Sequence, residues 1–232
     1  VHGRSGVKTI TQFDVSTYQS RIAGEVEEFM PTDYLTPKDA RRMDRFSQFG
    51  VACAKMALFD SDLNLEKIGQ NSIGISVGSS VGGLPHAEEQ HSIFLEKGLR
   101  RVNPLLSTRL FVGSCMNNIC LELGIKGPSY AISTGCATGT DNIGFAFNLI
   151  REGKIDLMLA GAVETPLSPL AFGSFSAVGI LSTKNNTPQK TPKPFDKYRD
   201  GIVLSEGGTV LVLEELHHAL SREAEIYAEV VG

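Results

Sequence analysis

A chain of 232 residues, 41% of them hydrophobic, is long enough to build one large domain or two small ones around a sizeable core. A formal net charge of −4 argues against nucleic acid as the main partner. The four cysteines (53, 115, 120 and 136) show no disulfide-framework spacing and no C-x-x-C pair. That implies a reducing, cytoplasmic setting and no zinc or other metal site.

No run is apolar and long enough to cross a membrane, and no signal peptide is present. The 24 glycines and the absence of tryptophan suit an α/β protein with many tight turns. The chain begins without methionine and stops as the strand-like Val230-Val231 run gets under way, so both ends read as cut.

Taken in order, residues 1–36 are mixed and show no strong period. From Pro37 to about Asp60 the pattern is helical, with Met43, Phe46, Phe49, Val51, Ala54 and Leu58 on one apolar face. Thr36 suits the N-cap and Pro37 the first helical position. Ile73 to Val77 reads as a buried strand leading into the loop Gly78-Ser79-Ser80-Val81-Gly82-Gly83. That loop lacks a P-loop lysine and does not fit G-x-G-x-x-G, so its glycines read as a close-approach turn and not as a nucleotide cradle. Residues 104–123 read as a second helix, ended by Gly124 and Gly127-Pro128.

A third helix is expected from about Ala137 to Arg151, with Gly153 near its C-cap. Strands are expected over Ile155–Ala160 and Thr209–Leu213, a Pro-rich loop over 184–201 and a short helix over 215–222. No clean domain boundary shows along the chain. Strands alternating with helices predict a parallel sheet with crossovers.

Between the second and third helices lies the run Ser129-Tyr130-Ala131-Ile132-Ser133-Thr134-Gly135-Cys136-Ala137-Thr138-Gly139-Thr140, which reads as a short strand, a tight turn and a helix start. A cysteine there stands at a helix N-terminus, where free backbone N–H groups and the helix dipole favour an anion, hence the nucleophilic thiolate. On local sequence alone, a small buried hydrophobe is the competing reading of Cys136.

Four segments then line up in order. They are Ser133 to Thr140; Leu159-Ala160-Gly161-Ala162-Val163-Glu164; Leu181-Ser182-Thr183; and Pro194 to Gly208, which runs PFDKYRDGIVLSEGG. Together they resemble the β-ketoacyl-acyl-carrier-protein synthases, the condensing enzymes of fatty-acid and polyketide assembly, and most of all the elongating type of dissociated bacterial fatty-acid synthesis. The resemblance runs over essentially the whole chain. It implies an α/β, thiolase-like fold, with residues 1–232 forming the N-terminal half of the pseudo-duplicated layered βαβ architecture without its first strand.

The resemblance further implies a reaction. Cys136 takes an acyl group from the phosphopantetheine arm of acyl-carrier protein, a malonyl-carrier loses carbon dioxide, and the carbanion attacks the cysteine thioester. The backbone N–H of Cys136 is one oxyanion donor on this reading. No separate cofactor is expected, a homodimer is, and a membrane span is not. The family's two catalytic histidines, its lysine and its second oxyanion donor come from the C-terminal half. His2, His86, His91, His217 and His218 all lie outside the family's catalytic motifs, so this stretch alone is expected to be inactive.

By the same resemblance Lys38, Arg41 and Arg42 match a basic patch that meets the acidic carrier, and Phe111 and Phe175 match positions lining the acyl pocket. A solvated helix face and plain core packing are the competing readings of these two groups. The elongating enzymes often carry a smaller aliphatic residue at the Phe111 position and an arginine at that of Gly179. Glu164, Asp196, Arg199 and Asp200 are expected to hold loops by charge-assisted hydrogen bonds. A thiolase acting on coenzyme A esters is opposed by the Pro194–Gly208 segment. A non-catalytic chain-length partner subunit is opposed by the presence of Cys136, and a bare carrier-binding module is the least supported alternative.

Overall fold

The computed structural model describes residues 3–232, so His2 lies outside the described residues. Along the chain, β1 (Val7–Thr9) and β2 (Ile22–Gly24) precede α1 (Pro37–Ala40), α2 (Arg45–Asp60) and α3 (Leu65–Ile68). Then come β3 (Ile73–Gly78), α4 (Leu84–Lys97), α5 (Leu106–Leu110), α6 (Ser114–Leu123) and β4 (Ser129–Tyr130). The chain continues through α7 (Thr138–Arg151), β5 (Leu157–Glu164), α8 (Pro169–Val178), β6 (Gly207–Glu214) and α9 (Leu216–Ser221).

Two expected long helices are each broken in two. Thr36 does cap α1, but that helix ends within one turn, and Asp44 accepts from Phe46 N–H at 3.2 Å to start α2. An N-cap residue needs extended backbone, and that interrupts the run. The apolar face named for residues 37–60 is nevertheless buried at Met43, Phe46, Phe49, Val51, Ala54 and Leu58. The expected helix over 104–123 breaks between α5 and α6, where Gly113 stands before the new helix and Gly124 closes it in the left-handed region. The residues after Glu223 carry no regular element.

The chain divides into two units, each assembled from three segments, which is why no boundary shows in the sequence. One unit comprises the stretch ending at Phe29, Leu84–Leu106 and Thr165–Gly207. The other comprises Met30–Gly83, Ser107–Glu164 and Gly208–Gly232.

In the first unit β1 pairs antiparallel with β2, and Gly24 also bridges Ser205. Its core gathers Ile10, Val15, Ala23, Leu167, Phe172 and Leu181. Phe13 and Tyr18 meet the ring of Phe172 edge-on at 5.7 and 5.6 Å. Glu88 on α4 accepts the Leu170 N–H of α8 at 2.9 Å. Asp200 accepts from Ser182 Oγ at 2.9 Å and lies 3.5 Å from Lys184 Nζ, while Asp196 accepts from Tyr198 N–H at 2.6 Å. These carboxylates hold the 182–200 loop.

The second unit carries the expected sheet, in the order β4-β3-β5-β6. β3 runs parallel to β4, with Ile75 opposite Ser129, and parallel to β5 from Ile73–Leu157 to Gly78–Ala162. Helices cover both faces. Met158 and Ala160 pack with Ile143, Ala146, Leu149 and Ile150 of α7. Side chains alternate along a strand, so Ile73, Ile75, Val77, Leu157 and Leu159 turn to the opposite face, on which α2 and α6 pack. Each of these five is nearly or fully buried, worth roughly 1.5–3 kcal/mol apiece in water-excluded surface. This rigid parallel core positions the turn that follows β4.

Candidate active site

β4 is only two residues long. After it the chain runs through Ala131 to Thr134 and turns sharply at Gly135–Ala137, one turn of 3₁₀ helix that feeds directly into α7. Gly135 sits at φ +64°, a conformation that costs glycine little and other residues more. Cys136 is on this turn and exposed. The buried-hydrophobe reading of Cys136 is therefore wrong for its side chain, and the position expected at a helix N-terminus is the one it occupies.

The turn is held from below by three elements. Asn142, fully buried on α7, uses every hydrogen-bonding position it has. Its Nδ2 donates to Ile132 O at 2.9 Å and to Thr138 O at 2.7 Å. Its Oδ1 accepts from Ser76 Oγ on β3 at 2.7 Å and from Ile132 N–H at 3.3 Å. A buried amide so satisfied fixes its surroundings, because losing any partner strands a polar group away from water. Gly78, at the end of β3, lets the chain close down here, since a Cβ at that position would stand 2.0 Å from Ile132 O. Thr138 Oγ1 accepts from Thr134 N–H at 3.0 Å and donates to Gly135 O at 2.7 Å.

Glu164, at the end of β5, anchors the loop after β3. It accepts from Ser79 Oγ and Ser80 N–H, both at 2.7 Å, and from Val81 N–H at 3.3 Å. Ser80 Oγ in turn donates to Gly135 O at 3.1 Å. Glu164 thus holds a loop, as expected, and that loop touches the cysteine turn. Asn142, Ser80 and Thr138 were not read from the sequence. One signal was available for two of them: Thr138, Asn142 and Ala146 form the buried stripe of α7, in which the polar members stand out.

Of the other predicted residues, Lys38 lies on α1 and Arg41 and Arg42 on the turn after it, all three exposed. Arg109 on α5 donates through Nε to Arg42 O at 3.0 Å and through its terminal nitrogen to Arg41 O, bracing that turn. Phe111 falls in the break between α5 and α6 and is 46% exposed. It is not a core ring in this chain. Phe175 belongs to the first unit, half-buried on α8 against the Phe172 cluster. A groove lined by Tyr34, Cys53, Lys55, Met56, Phe59 and Asp60 includes none of the predicted site residues. Among the described residues no cluster of histidine, cysteine or acidic side chains is arranged to hold a metal, and no helix is long and apolar enough to cross a membrane.

The other three cysteines differ from Cys136. Burial pushes the thiols of Cys53, Cys115 and Cys120 up, most strongly for Cys115, which is fully enclosed. A raised thiol pKa means less thiolate at any given pH. Brief iodoacetamide treatment at neutral pH should therefore label Cys136 first and Cys115 last. Labelling of Cys53 and Cys120 should rise only as pH climbs past the ordinary thiol value of about 8.5. Peptide mass mapping reads this out, and equal labelling of all four would sink the assignment of Cys136 as the reactive cysteine.

With this geometry in place, likeness to known proteins becomes informative. Residues 1–219 match the family model described as β-ketoacyl synthase, N-terminal domain. The chain is 43% identical over 232 residues to 3-oxoacyl-[acyl-carrier-protein] synthase 2 of Vibrio harveyi, covering 100% of this chain and 56% of that protein. It is 40% identical to the Coxiella burnetii protein of the same name, covering 99% of this chain and 56% of the relative. The chain thus spans little more than half the length of these curated relatives. Among solved structures, a β-ketoacyl synthase from Burkholderia phymatum superposes with a TM-score of 0.87 at 35% identity, covering 99% of this chain and 57% of that one. A type II polyketide acyl-carrier protein in complex with its ketosynthase bound to the hexaketide gives 0.81 at 31% identity, covering 99% and 56%.

Proposed function

Because this chain belongs to the β-ketoacyl synthase family, with the thiolase-like α/β fold of its N-terminal domain, we propose that it carries the nucleophile of a condensing acyltransferase and that Cys136 is that nucleophile. The observation that carries the reading is an exposed cysteine on a rigidly braced turn opening directly into α7. The thiolate attacks the carbonyl carbon of an acyl thioester on the phosphopantetheine arm of acyl-carrier protein. The negative charge on the tetrahedral oxygen is met by the Cys136 backbone N–H, and the carrier thiol leaves. Malonyl-carrier then loses carbon dioxide. Its carbanion attacks the Cys136 thioester, expels the thiolate and leaves a 3-oxoacyl chain two carbons longer.

Decarboxylation draws on groups that the family places in its C-terminal half. Relatives named as 3-oxoacyl synthases, at 40% identity and above, support an acyl chain of the fatty-acid type over a polyketide. No separate cofactor takes part in this scheme. A cytoplasmic homodimer completes the reading.

Lys38, Arg41 and Arg42 form the carrier-docking patch on this reading. Their exposure and the bracing of the turn by Arg109 support it. The test is loading of Cys136 from an acyl-carrier protein, followed by intact mass and peptide mapping. The acyl adduct should map to Cys136. Reversing charge at Lys38, Arg41 and Arg42 together should slow loading from the carrier by about 10-fold or more at low salt, because charge complementarity acts mainly on encounter. Loading from a small thioester should stay unchanged. An adduct on another residue defeats the nucleophile assignment, and unchanged loading from the carrier defeats the docking assignment.

A further inference from the structure

The Gly135 carbonyl accepts from the Thr138 backbone N–H and from two hydroxyls, Thr138 Oγ1 at 2.7 Å and Ser80 Oγ at 3.1 Å. That carbonyl belongs to the same peptide unit as the Cys136 N–H. The unit is planar, and no peptide bond among the described residues is cis. In a trans peptide the C=O and N–H point in opposite directions. These donors, pinning the carbonyl on one side, therefore aim the Cys136 N–H to the other, and Ser80 is the one that comes from outside the turn and α7. They also draw electron density toward the oxygen, which makes the N–H a better donor, since hydrogen bonds in series polarise one another. Ser80 in turn is set by Glu164, which takes its N–H at 2.7 Å and ties the loop again through Ser79 Oγ and Val81 N–H. Ser79 Oγ accepts Gly82 N–H at 2.9 Å, closing the loop on itself.

We infer that Ser80, set by Glu164, is a positioning residue that aims and polarises the Cys136 N–H for the oxyanion of acyl transfer. The line runs from the Glu164 carboxylate through Ser80 to the Gly135 carbonyl and out at the cysteine N–H. Thr138 supplies the second pin from α7 itself. The inference rests on the reading of Cys136 as the acyl-accepting nucleophile. It adds that two residues from chain-distant segments, neither of which touches substrate, set the strength of its oxyanion donor.

Two reactions at the same sulfur separate this role from a merely structural one. Transfer of an acyl group from a small thioester passes through an oxyanion, whereas alkylation by iodoacetamide does not. Ser80→Ala should slow acylation of Cys136 on the order of 10-fold, less than the roughly 10²–10³-fold loss on deleting an oxyanion donor outright. Alkylation of Cys136 in the same variant should stay within about twofold, since the sulfur and its access are unchanged. Ser80→Thr keeps the hydroxyl and should restore acylation. Glu164→Gln, which cannot accept all three donors of the loop, should show the same selective loss. Equal falls in both reactions, or no fall in acylation, would overturn the inference while leaving Cys136 as the nucleophile. A parent protein that is not acylated at Cys136 would overturn the nucleophile reading and the inference with it.

Discussion

Replacing Cys136 with serine is expected to abolish acyl loading, with a rate loss on the order of 10³-fold or more. The substitution roughly keeps the size of the side chain and puts a hydroxyl in place of the thiol, but a serine hydroxyl does not ionise near neutrality. The hydroxyls that brace the turn, Thr138 and Ser80, already donate to Gly135 O and are not bases that could take its proton. Stability should hardly move. The side chain is exposed and surface changes of this kind usually stay within about 0.5 kcal/mol. The measurement is intact mass after incubation with acyl-carrier substrate, beside a melting curve. A Cys136→Ser protein that loads acyl groups at the parent rate would remove the basis of the proposed function.

The second large effect is expected at Gly78. A Cβ there would stand 2.0 Å from Ile132 O and 2.7 Å from both Asn142 Nδ2 and Thr138 Cγ2. None of these can give way cheaply. The carbonyl is backbone, the amide is buried and fully bonded, and the threonine is part of the brace. Gly78→Ala should therefore cost about 1–3 kcal/mol through overpacking. For a chain of this size that lowers Tm by a few degrees to about 10 °C. It should also displace the Ile132–Thr138 stretch, and a shift near 1 Å at a reacting group costs about 10²-fold in rate.

Gly144→Ala is the matched control. It lies in the interior of α7 with nothing within 4 Å of a Cβ, so it should be neutral or slightly stabilising. If Gly78→Ala melts and loads like the parent, the turn is not held in the way described.

The parallel core was legible in the sequence because its strands are continuous apolar runs bounded by glycines and polar turns. β3, β5 and β6 were anticipated, with β5 observed a few residues later than read. α7 was legible from its amphipathic stripe. Elements without a period were not. α4 is so rich in charge and polar groups that it buries only Gln90, and α8 is apolar and small throughout, so neither shows a face. β1 and β2 are three residues each and make sense only against one another. The break before α6 was missed because the apolar run Leu110-Phe111-Val112 continues across it, and the one before α2 because Met43 and Phe46 keep helical spacing on either side of Asp44.

The site divides in the same way. Cys136 was singled out by a local signal (small residues, a glycine and a helix start) together with the family resemblance, and it lies on an exposed turn that opens into α7. Glu164 was read as a loop anchor, and it is one. Ser80 and Asn142 were not found, because what matters about them is a partner lying 55 or 66 residues away in the chain. Phe111 was placed in the acyl-pocket wall by the family resemblance, with core packing as the competing reading. Its exposure follows from the break between α5 and α6, which the matching of single positions does not reveal.

The weaving of the chain through its two units bears on how the protein is made. The first unit needs Ile10 and Ala23 to meet Phe172 and Leu181, and Gly24 to meet Ser205. The second needs β6, which ends at Glu214. A ribosome adding about 5–20 residues per second takes on the order of 10–40 s to go from Ile10 to the last of these partners. β3, complete at Gly78, waits for most of that interval and β5, complete at Glu164, for the last part of it without full cover, and β1 has no finished core to join. Neither unit can be completed early and set aside while the other is synthesised. The stretch from β1 to β6 therefore leaves apolar strands uncovered until β6 is made, and slow or paused translation before that point prolongs the exposure.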